Sequence, residues 1–293
     1  MGRPFRSCDW IAADRIGDRL RLRGMTAAAA PLWTRNHPVV DPTLAALANR
    51  IGQAVAGNGE LRDTEVVLSG ARLPADMLRA VPAPPIETLH PVASPDGALR
   101  LRIVPGLKQA APKGVTCGAE TTIAGVLEQD PGFDGVICHL GTPSCWAQIS
   151  AGEVVSFQSF LTAEIAEAML AARGLRGAPV PGQDAPEFAA ALDESLSRPE
   201  RLAARLSELD ADRQLAARTD DGLVAGLWGQ LIGAELAAAK PYWLGQNVVV
   251  VGAAGAAALH AGGLRGLGVT VTTRDADAMV LAGLVRARGL PDG

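Results

Sequence analysis

Aromatic side chains are scarce. Phe, Trp and Tyr make up 4% of the 293 residues, and there is a single tyrosine. A core with so few rings has to be filled by Leu, Val, Ile and the small residues that supply much of the 48% apolar content. The lone tyrosine, Tyr242, also excludes short-chain dehydrogenase chemistry, which needs Tyr-x-x-x-Lys, because Gln246 stands at the i+4 position. Cysteine is equally rare. The four thiols (Cys8, Cys117, Cys138, Cys145) show no CxxC spacing and the four histidines never pair at i, i+4, which argues against a tetrahedral metal site and for reduced thiols. No block of Lys and Arg is long, and the formal net charge is −4, so a nucleic-acid backbone is not the expected partner. The opening "MGRPFRSCDW" has no apolar stretch behind it, as a secretory signal would require. The longest apolar window, "VVVVGAAGAAALHAGGL", is mostly Ala and Gly and is interrupted by His260 before it reaches bilayer-spanning length. A cytoplasmic protein with no membrane contact is expected.

The length allows roughly two lobes, each with its own core. Helical spacing covers 42–55 with a stop at Gly57, "TEVVLSG" (64–70) reads as a buried strand, and 94–106 reads as a hairpin arm turning at Asp96-Gly97. A helix over 115–132 ends at Pro131-Gly132, the expected domain boundary, giving lobes of 1–132 and 133–293 with the last helix free to pack back on the first lobe. Three strands follow over 133–162, then helices to 240, including one over 220–240 that opens on Asp caps and carries Leu223, Leu227 and Leu231 on a wide apolar face. The tail reads strand, Gly turn, helix, strand, helix.

Two segments suggest chemistry. In "VVVVGAAGAAALH" (248–260) a strand runs through Gly252 into a helix of tiny residues, which lets a phosphate or planar group approach unpaired N–H groups. Asp275 lies at a tempting distance for a ribose contact, but a GxGxxG frame fails at Ala254 and Ala257 and no second half-sheet can follow. In "GVICHLGTPSCW" a strand empties into Gly141-Thr142, where a glycine permits positive φ and the next N–H and hydroxyl can hold phosphate oxygens.

These parts occur in one chain order: "CDW" (8–10), "GLKQAAPKGVTCGAETTIAG", the Gly-Thr turn and the terminal strand-Gly-helix. That order resembles the 2-dehydro-3-deoxygalactonokinase family, sugar-acid kinases of the actin/hexokinase-like superfamily, most closely over 103–165 and more faintly in "LIGAELAAA" and from 248 onward. The resemblance implies an α/β fold of two ribonuclease-H-like lobes with a central cleft holding ATP and Mg²⁺. It also implies transfer of the γ-phosphoryl group to the 6-hydroxyl of 2-dehydro-3-deoxy-D-galactonate. By resemblance Asp9 holds Mg²⁺, Gly141, Thr142 and Ser144 meet phosphate, Gly252 and Gly255 meet adenosine, and Glu120 and Glu164 contact the sugar hydroxyl or metal water. Partners are then a nucleotide and a sugar acid, and a homodimer stays open.

Departures from the family pattern fall on the phosphate loops. Ile11, Ala12, Ala13 and Asp14 stand for Gly-Thr-Thr-Asn, which should weaken ATP binding. In Arg-Gly-Glu-Glu-Thr, Cys117 replaces Arg and Ala119 replaces the first Glu. Pro143 and Cys145 replace His and Lys in the second loop, and Ala163 replaces Gly beside Thr162 and Glu164. Such clustered losses motivate an alternative: a paralogue that keeps the fold and binds a ligand or partner without turnover.

Overall fold

Parallel strands buried at the centre of a sheet and helices packed against them occur twice along the chain in the computed structural model, which describes residues 7–56, 61, 63–94 and 99–293. The Gly57 stop and the Asp96-Gly97 turn lie outside the described residues. The chain divides into two compact units, residues 1–133 with 150–156 and 277–293, and residues 134–149 with 157–276.

The first unit contains β1 (Trp10–Ile16), β2 (Arg19–Met25), β3 (Pro31–Pro38), α1 (Leu44–Val55), β4 (Thr64–Ser69), β5 (Arg79–Ala80), β6 (His90–Ala93), β7 (Leu99–Ile103), β8 (Leu107–Gln109), β9 (Gly114–Val115) and α2 (Ala119–Gln129). Its main sheet has the order β3-β2-β1-β4-β7-β6, with β1, β4 and β7 parallel and the outer pairs antiparallel. Residues of β1 are buried on both faces, so the strand shows no polar alternation. Ile11 and Ala13 join Val66, Leu68, Leu47 and Ile51 under α1, while Trp10, Ala12 and Val67 face the other way, toward Ala124, Val280 and Leu284. The last two belong to the final helix, α9 (Ala276–Arg288). The helix expected over 115–132 starts only at Ala119, because Gly114–Val115 pairs with β8 first.

The second unit contains β10 (Gly135–His139), β11 (Ser144–Ser150), β12 (Glu153–Phe160), α3 (Thr162–Ala172), α4 (Pro186–Ser197), α5 (Leu202–Gln214), α6 (Asp220–Ala238), α7 (Lys240–Trp243), β13 (Val248–Gly252), α8 (Ala254–Gly266) and β14 (Val271–Asp275). Its sheet runs β12-β11-β10-β13-β14, with β10 antiparallel to β11 and parallel to β13, which is parallel to β14. Each sheet thus has an antiparallel meander joined to parallel strands through its first strand, the ribonuclease-H-like order. The long helix α6 is capped by Thr219, whose hydroxyl accepts from Gly222 N at 3.1 Å; Asp220 and Asp221, expected as caps, occupy the first turn instead. Among the described residues no helix is long and apolar enough to cross a membrane.

Candidate active site

Parallel strands leave their carboxyl ends on one edge, where the following turns can receive a ligand. In the second unit β10 ends at His139, β13 at Gly252 and β14 at Asp275 on such an edge. Leu140 N donates to Val251 O at 2.8 Å, and a Cβ at Gly252 would lie 3.0 Å from the Leu140 side chain, so the Gly141-Thr142 bend and the Gly252 bend are neighbours. Gly141 is not among the positive-φ glycines, contrary to the sequence expectation. A glycine here matters for a different reason: a Cβ would crowd His139 Nε2 at 2.4 Å and Pro143 O at 3.2 Å. Burial lowers the His139 pKa to about 4, so the ring beside this bend is neutral at neutral pH. Helix α8 starts with Ala253 as an extended cap, no side-chain cap bond and no acid in its first turn. Helix α8 itself thus supplies no side-chain cap, and its first N–H groups and the positive end of its dipole point to the strand edge, where Asp275 stands in register beside Gly252. Ala253, Ala254 and Gly255 are exposed there, and a Cβ at Gly255 would make only ordinary contact with Val180, at 3.7 Å.

A buried carboxylate organises the elements around the Gly-Thr bend. Glu235, 2% exposed on α6, accepts hydrogen bonds from Ser144 Oγ (2.9 Å) and Trp146 Nε1 (2.8 Å) on β11 and from the Thr162 hydroxyl at the start of α3. His260 Nε2 on α8 lies 3.7 Å away. Burial alone would raise this carboxyl, but His260, Thr162 and Trp146 outweigh it and hold the pKa below the usual value. Ser144 therefore turns inward and ties the hairpin to Glu235. Glu235 was not singled out from sequence, although a lone acid late in an apolar helix is a readable signal, since a buried charge demands partners. Glu164, two residues beyond Thr162, keeps Oε2 buried without a partner among the described residues. Its pKa is raised, first by burial and then by Glu167 and Glu235.

In the first unit the equivalent edge carries Asp14, paired in register with Ser69. Ser69 Oγ lies 2.5 Å from Thr121 Oγ1 on α2, and Gly70 follows with φ +82. Residues 11–14, expected as the first phosphate loop, are strand residues; the bend comes later, at Gly17-Asp18 between β1 and β2. Asp14 is 2% exposed and does not present a free charge. It accepts from Arg21 Nε (3.2 Å), Arg21 Nη2 (2.9 Å) and Arg23 Nη1 (2.6 Å). Asp9 precedes β1 at the strand's opposite end, roughly 16 Å away at ~3.3 Å per residue. It is exposed and accepts from Ala27 N at 2.6 Å. The structure does not bring Asp9 together with Glu120. Glu120, 1% exposed, takes the Gly118 N–H on both oxygens (2.9 and 3.1 Å), a contact that closes the start of α2. Burial raises its pKa, against opposing bonds from Thr116 and Gly118 and the nearby Arg79.

Comparison with known proteins bears on this geometry. The model of the 2-keto-3-deoxy-galactonokinase family matches residues 27–287. A curated relative, "Probable 2-dehydro-3-deoxygalactonokinase" of Rhizobium meliloti (strain 1021), is 28% identical over 95% of this chain and 92% of its own. The crystal structure of a "putative 2-dehydro-3-deoxygalactonokinase protein" from Sinorhizobium meliloti superposes with a TM-score of 0.79 at 23% identity, covering 95% of both chains. The activator of the 2-hydroxyisocaproyl-CoA dehydratase from Clostridium difficile, solved with bound ADPNP, shares the fold at a TM-score of 0.50 and 12% identity, over 95% of this chain and 93% of its own.

Proposed function

The chain belongs to the 2-keto-3-deoxy-galactonokinase family, and from that membership we propose that it transfers the γ-phosphoryl group of ATP to the 6-hydroxyl of 2-dehydro-3-deoxy-D-galactonate. The observation that carries this reading is the adjacency of the Gly141-Thr142 bend, the Gly252 bend and the open start of α8 on one strand edge. Phosphoryl transfer needs little covalent chemistry from a protein; it needs backbone donors around phosphate and an oriented hydroxyl. Gly141 and Thr142 supply N–H and hydroxyl donors, Ser144 fixes the hairpin through Glu235, Gly252 gives Leu140 room behind the bend, and the exposed Gly255 leaves the start of α8 accessible to the adenosine. The ADPNP bound by the Clostridium protein supports nucleotide use in this fold.

Of the two carboxylates considered for the sugar hydroxyl, Glu164 suits a base better. It has an unpartnered oxygen and a raised pKa, whereas both oxygens of Glu120 are engaged by Gly118. A protein-held Mg²⁺ does not fit at Asp14, whose oxygens are taken by Arg21 and Arg23, and no group of three or more ligating side chains lies together among the described residues. Mg²⁺ enters this reading only as the counter-ion of the nucleotide phosphates, which suits its preference for water and phosphate ligands. Asp9 is left out of the proposed site.

The test is a coupled assay for ADP release with Mg-ATP and the keto-deoxy sugar acid. Turnover that requires the acid supports the kinase, and Glu164→Gln should lower kcat by about 10²-fold or more while nucleotide binding persists. The Asp14-Arg21-Arg23 cluster favours one alternative, a fold-retaining paralogue without turnover, because it closes off the first unit's carboxylate. Binding of the sugar acid with no ADP release selects that alternative.

A further inference from the structure

Arg15, the residue after Asp14 on β1, reaches over the strand edge to Cys117: its Nη2 lies 3.6 Å from Cys117 Sγ. The thiol in turn donates to Gly70 O at 3.1 Å. Arg15 Nε donates to the same Gly70 carbonyl at 2.8 Å, and Nη1 donates to Gly17 O at 2.7 Å. Gly70 makes this possible, because a Cβ on it would sit 2.9 Å from Arg15 O. All of these acceptors are neutral. Among the described residues Arg15 has no carboxylate partner within 4.0 Å, whereas Arg21, Arg23 and Arg102 on the same sheet are all ion-paired. Three of the five N–H groups of a guanidinium are used, which leaves one on Nη1 and one on Nη2 without an acceptor among the described residues. Arg72, two residues beyond Gly70, is exposed. The Cys117 thiol is raised, first by burial and then by Glu120, against smaller opposing contributions from Arg15 and Arg72.

We propose that Arg15, held at the carboxyl end of β1 by Gly17, Gly70 and Cys117, is the specificity-determining cation that binds the carboxylate of the sugar acid. This rests on the sugar-acid reading given above, and it places recognition of the anion on the first unit, at the carboxyl ends of β1 and β4.

Calorimetric titration of the full chain with 2-dehydro-3-deoxy-D-galactonate, without nucleotide, tests the site independently of turnover. Arg15→Gln should weaken binding of the acid by about 10- to 100-fold, the range of a charge-assisted pair, with Mg-ATP affinity changed less than about twofold. Restoring a guanidinium from the neighbouring position 117, in the double variant Arg15→Gln/Cys117→Arg, should recover most of the lost affinity, which a merely structural role for Arg15 would not allow. Arg15→Lys, which keeps the charge in case the Gln variant folds poorly, should bind the acid with intermediate affinity. Unchanged acid affinity in Arg15→Gln, equal losses for acid and nucleotide, or no rescue by Cys117→Arg would each overturn the assignment. Acid binding that depends on Arg15 without ADP release would uphold the assignment and count against the kinase reading alone.

Discussion

Glu235 shows how much one side chain can hold in place. Its carboxylate joins β11, α3 and α6 through Ser144, Trp146 and Thr162, with His260 of α8 beside it, so its removal strands several buried donors at once. Leaving such groups unpaired costs ~1–3 kcal/mol each. Glu235→Ala should therefore destabilise the protein by about 3–5 kcal/mol, a range typical of broken buried ionic networks; Glu235→Gln, which keeps an acceptor, should cost less. The pH dependence has a definite sign. Because the folded pKa lies below the ordinary 4.5, the contribution is complete above that value and is lost as pH falls through the depressed one. Thermal melts between pH 3 and 6 should show wild type losing its advantage over Glu235→Gln at the acidic end. An advantage that stays flat or grows toward acid would contradict the assigned role.

Among the elements, α2 and α9 depend on glycine for close approach. A Cβ at Gly125 would fall 1.9 Å from Met279 O, and one at Gly283 would fall 1.9 Å from Thr121 O. Backbone cannot yield as a flexible side chain can, so Gly125→Ala and Gly283→Ala should each cost about 2–3 kcal/mol or more and lower Tm by roughly 4–12 °C. Gly266→Ala, with nothing within 4 Å, is the control and should melt near wild type. The same elements show what sequence could and could not reveal. The strand-Gly-helix from 248 and the strands from 133 were readable because apolar runs meet turn residues at their ends. Register at β1 was not, because Trp10, Ile11, Ala12, Ala13 and Asp14 are all buried and the strand lacks a period-2 pattern. The Asp9-Trp10 pair then drew the loop too early, although Gly17-Asp18 is an ordinary turn signal. Pairings distant in sequence, such as Glu235 with Trp146 and Arg15 with Cys117, have no local signature at all. Gly141 was found for the wrong physical reason: it avoids the His139 ring and needs no left-handed backbone.

On the scale of the whole molecule, the two units repeat one sheet order without repeating sequence, and each ends its parallel strands in different chemistry. The second unit offers glycine bends and a helix start without a side-chain cap; the first offers a guanidinium that, among the described residues, has neutral acceptors only, next to a carboxylate already neutralised by Arg21 and Arg23. The reading proposed above assigns the nucleotide to the second unit and the sugar-acid carboxylate to the first. Amide hydrogen exchange of the full chain with and without a non-hydrolysable ATP analogue and Mg²⁺ tests this most directly. Protection rising in 141–146 and 253–257, with the first unit little changed, is the expected result. An analogue that binds while leaving both segments exchanging as before would contradict it.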